Sequence, residues 1–143
     1  MSDVKGVFAV SSAGMSVERA KLEVAAMNIA NANVALSADG IGYRPLRVVP
    51  QHTNARASFS ELMKFDASVP KFSIETIDTP PRQILEPNHP FADAKGMVMY
   101  PAVDTTTETF NVMHAMRAYE ANVAVLNASK TMALKALEIG GGN

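Results

Sequence analysis

The stretch from Thr107 to Ile139 contains neither proline nor glycine, and it constrains the rest of the chain more than any motif does. Its apolar residues fall at Val112, Met116, Tyr119, Val123, Leu126, Ala133 and Leu137. Steps of three and four, broken only at Lys130, keep these side chains on one face of an α-helix. Beside them runs a row of smaller residues, Ala115, Asn122, Ser129 and Ala136, which predicts the close approach of a second helix. A third row, Ala118, Val125, Met132 and Ile139, widens the stripe and leaves a thin polar back of Arg117, Glu120, Lys135 and Glu138. The helix would span 33 residues, roughly 50 Å at about 1.5 Å per residue. A compact domain of this length is only about 37 Å across. A straight helix here therefore either breaks or makes the molecule elongated, with partners outside its own core. The wide apolar face favours partners on more than one side.

Proline confirms where the helices stop. All eight prolines lie between Pro45 and Pro101, and glycine is absent from Met15 to Asp39 and again from Met97 to Ile139. Both residue types punctuate turns and break helices. The chain thus divides into an N-terminal helix and loop (1–43), a β-rich middle segment (44–104) and a C-terminal helix (105–143). The predicted class is α+β: two long terminal helices pair as a coiled-coil-like core, forming one helical domain, and a small proline-containing lobe lies between them in sequence. The pairing is antiparallel if the middle returns to the end it left, the shortest connection.

The first helix is expected to start near Ser2 or Asp3 and to run to about Asn33, with Gly6 and Gly14 weakening its first turns. Its end is rich in asparagine: Asn28, Asn31 and Asn33. These amides either cap the helix or bond to a neighbouring helix and set its register. Asn122 carries an amide on the apolar face of the second helix, where an unpaired group costs roughly 1–3 kcal/mol. Its partner is expected among those three asparagines or on another chain. In the middle, Tyr43–Gln51, Val69–Ile77, Arg82–Leu85 and Met97–Tyr100 read as strands, the first as an edge strand because of Pro45 and Pro50. Ser58–Phe65 fits either a strand or a helical turn. Glu86–Pro90 reads as a turn, and the final Gly140–Asn143 as a flexible tail.

The residues offer little chemistry. Net charge is −1 and mean hydropathy is +0.03, which point away from a nucleic-acid or polybasic membrane partner. No apolar run is long enough to span a bilayer, and the first residues make a poor cleaved secretory signal. Cysteine is absent, which excludes disulfides, thiolate metal sites and cysteine nucleophiles. His52, His89 and His114 are too scattered to suggest a metal site. Glu86 and Asp93 sit in no pattern that suggests paired catalytic carboxylates. No catalytic, cofactor-binding or metal-ligating residue is predicted, and no small-molecule substrate.

Three segments resemble the rod proteins of the bacterial flagellar basal body, in their proximal-rod FlgC branch. The first is Asn28-Ile29-Ala30-Asn31-Ala32-Asn33 followed by a loop and Tyr43-Arg44. The second runs from Glu86-Pro87-Asn88-His89-Pro90-Phe91-Ala92-Asp93-Ala94-Lys95-Gly96 through Val98 to Pro101-Ala102-Val103-Asp104. The third is Arg117-Ala118-Tyr119-Glu120-Ala121-Asn122-Val123, with Leu126, Asn127, Lys130 and Met132. Met97 and Ala102 depart from that pattern, as do Thr105 to Thr107, and 53–79 matches none of it. The resemblance implies a structural subunit with no catalytic site. It would be exported by the flagellar type III apparatus without a cleaved signal peptide. It would polymerise with other copies of itself and with other rod proteins into the periplasm-spanning rod that carries motor torque and supports motility. The residues expected at the assembly and helix interface are Asn28, Asn31, Asn33, Val112, Ala115, Met116, Tyr119, Asn122, Val123, Leu126, Ala133 and Leu137. Two other classes compete. A helical chaperone or adaptor would need a strongly charged helical back and no β-rich middle. A periplasmic metal-binding domain would have to be built on His89 and Asp93.

Overall fold

A computed structural model describes residues 2–37, 39–51 and 71–140. Helix α1 spans Ser2–Asn31, strands β1 to β4 span Leu46–Gln51, Lys71–Thr76, Arg82–Leu85 and Met97–Tyr100, and helix α2 spans Thr105–Gly140. The class is α+β, as the distribution of proline and glycine predicts. The Ser58–Phe65 expectation lies outside the described residues, as do residues 141–143 of the tail; Gly140 itself is helical.

Both helices are unbroken, and α2 is 36 residues long, about 54 Å. They pair antiparallel. Gly14 lies against Asn122, and Asn28 reaches Glu108, so fourteen residues forward along α1 match fourteen residues backward along α2. On α1 the buried face holds Ser11, Ala20, Val24, Ala25 and Asn28; on α2 Ala115 is fully buried. Small side chains on both sides bring the backbones close, which is the role the sequence suggests for the row through Ala115 and Asn122. Gly14 is therefore more than a weak spot in α1. A Cβ added there would sit 2.9 Å from the Asn122 Nδ2.

Asp104 starts α2. Its carboxylate accepts hydrogen bonds from the Thr106 N–H (3.1 Å) and the Thr107 hydroxyl (2.6 Å), satisfying a donor that the first helical turn leaves free. The Thr107 hydroxyl, then the Thr106 backbone N–H, hold this carboxyl below its usual range. Helix α1 stops at Asn31, two residues earlier than expected, with Val34 N–H bonded back to Asn31.

Among its described residues the middle lobe holds two separate two-stranded antiparallel sheets, β1–β2 and β3–β4. In the first, Leu46 pairs with Thr76 and Gln51 with Lys71. Pro50 is tolerated because a two-stranded sheet has only edge strands. In the second, Arg82 pairs with Tyr100 and Leu85 with Met97. The β3–β4 connection is closed by Glu86 N–H to Gly96 O (2.8 Å) and by Asp93, whose Oδ1 accepts from the Lys95 and Met97 N–H groups. Gly96 has φ 74°, and a Cβ there would lie 3.1 Å from Pro87 Cγ. Val98, Tyr100, Pro101 and Val103 are buried, as are Ala32 and Leu36 in the segment that follows α1. The Leu36 N–H donates to Met99 O at 2.8 Å.

Candidate assembly interface

Two features converge where the helices meet the lobe. The first is Asn28, which has no exposed surface. Its Nδ2 donates to the Leu46 carbonyl (2.9 Å) and to Glu108 Oε1 (3.0 Å). Its Oδ1 accepts from the Leu46 N–H (2.9 Å) and from the Tyr43 hydroxyl (2.7 Å). Both donor hydrogens and both acceptor positions of the amide are used. One side chain thus ties α1 to β1, to α2 and to the loop before β1. Losing it would strand several polar groups, each at roughly 1–3 kcal/mol if dehydrated. Burial, and then the nearby Glu108 charge, push the Tyr43 phenol above its ordinary pKa.

The second feature is Arg82. Its Nη2 donates to the Ala32 carbonyl (2.8 Å) and to Asn33 Oδ1 (2.7 Å), and its guanidinium lies 5.4 Å from the centre of the Tyr100 ring. A cation at the carbonyl end of α1 is favourable. The Tyr100 hydroxyl donates to Glu86 Oε2 at 2.9 Å, and this bond is the main reason its phenol also titrates high. Arg82 does for β3–β4 what Asn28 does for β1–β2. Asn31 takes part in neither network; its Nδ2 bonds to Met27 O in its own helix.

The predicted interface residues on α2 fall into two groups. Ala115 is buried, and Val112, Asn122, Val123, Leu126 and Ala133 are half-buried. Met116, Tyr119 and Leu137 are exposed, at 50%, 39% and 56%. Asn122 does not meet Asn28, Asn31 or Asn33. The antiparallel register puts Gly14 opposite it, one long stretch of helix away from them, so the expectation of an asparagine partner within the chain is not met. Arg82, Tyr43 and Glu108 were absent from the predicted set; only their contacts in space, 15 to 80 residues apart in sequence, reveal them.

Helix α1 covers the centre of the apolar stripe on α2 and leaves a shoulder exposed on each side. One shoulder carries Met116 and Tyr119 and the other Val125 and Met132; Leu137 and Ile139 are exposed beyond the start of α1, which the Gly14–Asn122 register places opposite Leu134. An apolar surface of this extent on a single chain marks an interaction site. Among the described residues there is no helix long and apolar enough to cross a membrane, and no group of three His, Asp or Glu side chains that could hold a metal ion.

A family model described as the C-terminal region of flagellar basal body rod FlgEFG proteins matches residues 94–139. The flagellar basal-body rod protein FlgC of Escherichia coli O6:H1 is 40% identical over 134 residues, covering 94% of this chain and 96% of that protein. FlgC of Salmonella typhimurium is 39% identical over the same shares. FlgC of Bacillus subtilis is 31% identical over 143 residues, covering 92% and 94%.

Proposed function

The chain belongs to the FlgC family of flagellar basal-body rod proteins, a structural and non-enzymatic family, and on that premise we propose that it is an exported subunit of the proximal rod. It leaves the cell through the flagellar type III apparatus without a cleaved signal peptide, polymerises in the periplasm through its terminal helices, and carries torque for motility. Segments 1–43 and 105–143 act as one helical domain, and 44–104 is carried outside it. Its neighbours are copies of itself and other rod proteins.

The observation that carries this reading is the pair of uncovered shoulders on α2. Burying the exposed half of such a side chain is worth about 1 kcal/mol, so the four shoulder residues with Leu137 and Ile139 offer about 6 kcal/mol in total. Association costs roughly 4–15 kcal/mol. Neither shoulder alone covers that cost and both together only reach its lower end, so an isolated pair of subunits is weak and an array needs further contacts beside the shoulders. Two different surfaces on one subunit make heterologous contacts, which give an open helical array when the rotation does not close, as a rod requires.

The test replaces the chromosomal copy with Met116→Glu or Val125→Glu, one on each shoulder. Each charge falls on an exposed site, so the free subunit stays folded and exported while swimming in soft agar is lost. Lys135→Ala on the polar back keeps swimming. Normal swimming with both shoulder variants would sink the proposal.

A further inference from the structure

We propose that Asn28 is the positioning residue that sets the orientation of the β1–β2 hairpin on the helix pair. The pairing of β1 with β2 leaves the Leu46 N–H and C=O pointing away from β2, because the neighbouring bond runs from Ile77 N–H to Pro45 O. Those two groups would form a bare sheet edge. The Asn28 amide fills both at 2.9 Å, much as a residue of a third strand would. Two bonds from one planar amide to the backbone of one residue fix rotation as well as position. Tyr43 and Glu108 hold the amide in the plane that this requires. An apolar side chain of similar size could fill the space but could not orient the strand. The other sheet is tied down elsewhere, by Arg82 on the Ala32 carbonyl and Asn33 and by the Leu36 N–H on the Met99 carbonyl. If the helix pair is the part built into the rod, Asn28 is where the rod's rotation reaches the hairpin; that clause rests on the proposed function, and the positioning itself does not.

The experiment uses the free full chain. It has no cysteine, so an introduced pair is uniquely labelled. Nitroxides on Glu23→Cys and Lys71→Cys report the swing of the hairpin at the end farthest from Leu46, by pulsed electron spin resonance. A second pair, Glu23→Cys with Gln83→Cys, reports the other sheet. In the parent chain both distance distributions are narrow. Asn28→Ala at least doubles the width for the Lys71 pair and leaves the Gln83 pair and the circular dichroism of the helices unchanged. Arg82→Ala broadens the Gln83 pair only. Asn28→Asp keeps the acceptor for the Leu46 N–H but sets an oxygen against the Leu46 carbonyl, so it also broadens the Lys71 pair. Tyr43→Phe gives an intermediate width. A Lys71 distribution as narrow in Asn28→Ala as in the parent overturns the proposal. So does equal broadening of both pairs with loss of helix content, which would make Asn28 a general stability residue. Both outcomes are read without any motility assay, so they stand apart from the fate of the rod assignment.

Discussion

Substituting Gly14→Ala should be neutral to destabilising in the parent chain and stabilising once the Asn122 amide is removed. Alanine is favoured over glycine in a helix interior by about 1 kcal/mol. Against this, the new Cβ would lie 2.9 Å from Asn122 Nδ2 and 3.3 Å from its Cγ, where ordinary contact begins at 3.4 Å. The amide must move by about half an ångström across a close helix–helix contact, an overpacking cost of roughly 1–3 kcal/mol. The net effect in the parent chain runs from about zero to about 2 kcal/mol destabilising. With Asn122→Ala already present, the obstacle is gone, and the same substitution stabilises by about 1 kcal/mol. Urea unfolding of the four proteins, followed by circular dichroism at 222 nm, closes the double-mutant cycle with a coupling of about 1–3 kcal/mol. A coupling below about 0.5 kcal/mol would mean that Gly14 and Asn122 do not meet, and the antiparallel register drawn through them would fail.

Ala115→Leu forces three more carbons against α1 at a site that is 1% exposed; unfolding of the free subunit should show a loss of about 1–3 kcal/mol, and a stability equal to the parent's would misplace the buried face. The Tyr43 phenol is held neutral by burial and by Glu108, so its folded pKa exceeds the unfolded value. That contribution is complete below about pH 10 and is lost as pH rises through the folded pKa. The stability gap between the parent and Tyr43→Phe should therefore narrow above about pH 10, and a gap constant from pH 8 to 11 would refute the assignment.

The sequence and the structure agree most closely where local signals are strong. Arg82–Leu85 and Met97–Tyr100 are strands at the predicted limits, because turn residues bound them tightly on both sides. Tyr43–Gln51 shortens to Leu46–Gln51, since Tyr43 turns inward to bond with Asn28. The faces of α2 were harder to read. A helix that is apolar around most of its circumference does not reveal by periodicity which part its own chain covers. Met116, Tyr119 and Leu137 look like the inner face by size, yet the smaller row through Ala115 and Asn122 lies against α1, because close packing favours small side chains over bulky ones. The role of Asn28 was legible only as a choice between capping and contact. Nothing local in a sequence signals a backbone partner eighteen residues away or a carboxylate eighty residues away.

That last separation has a consequence for how such chains can vary. Residues eighty positions apart touch at 3.0 Å, so everything between them is, in effect, an excursion from one point on a hairpin of helices. Lengthening a flexible excursion is cheap: doubling it costs only about 0.6 kcal/mol in closure entropy. Bulk can therefore be added to or trimmed from the outer segment without disturbing the register of the two helices. The size of the middle segment and the closeness of the two helices become separately adjustable, one through loop length and the other through the small residues along a single seam.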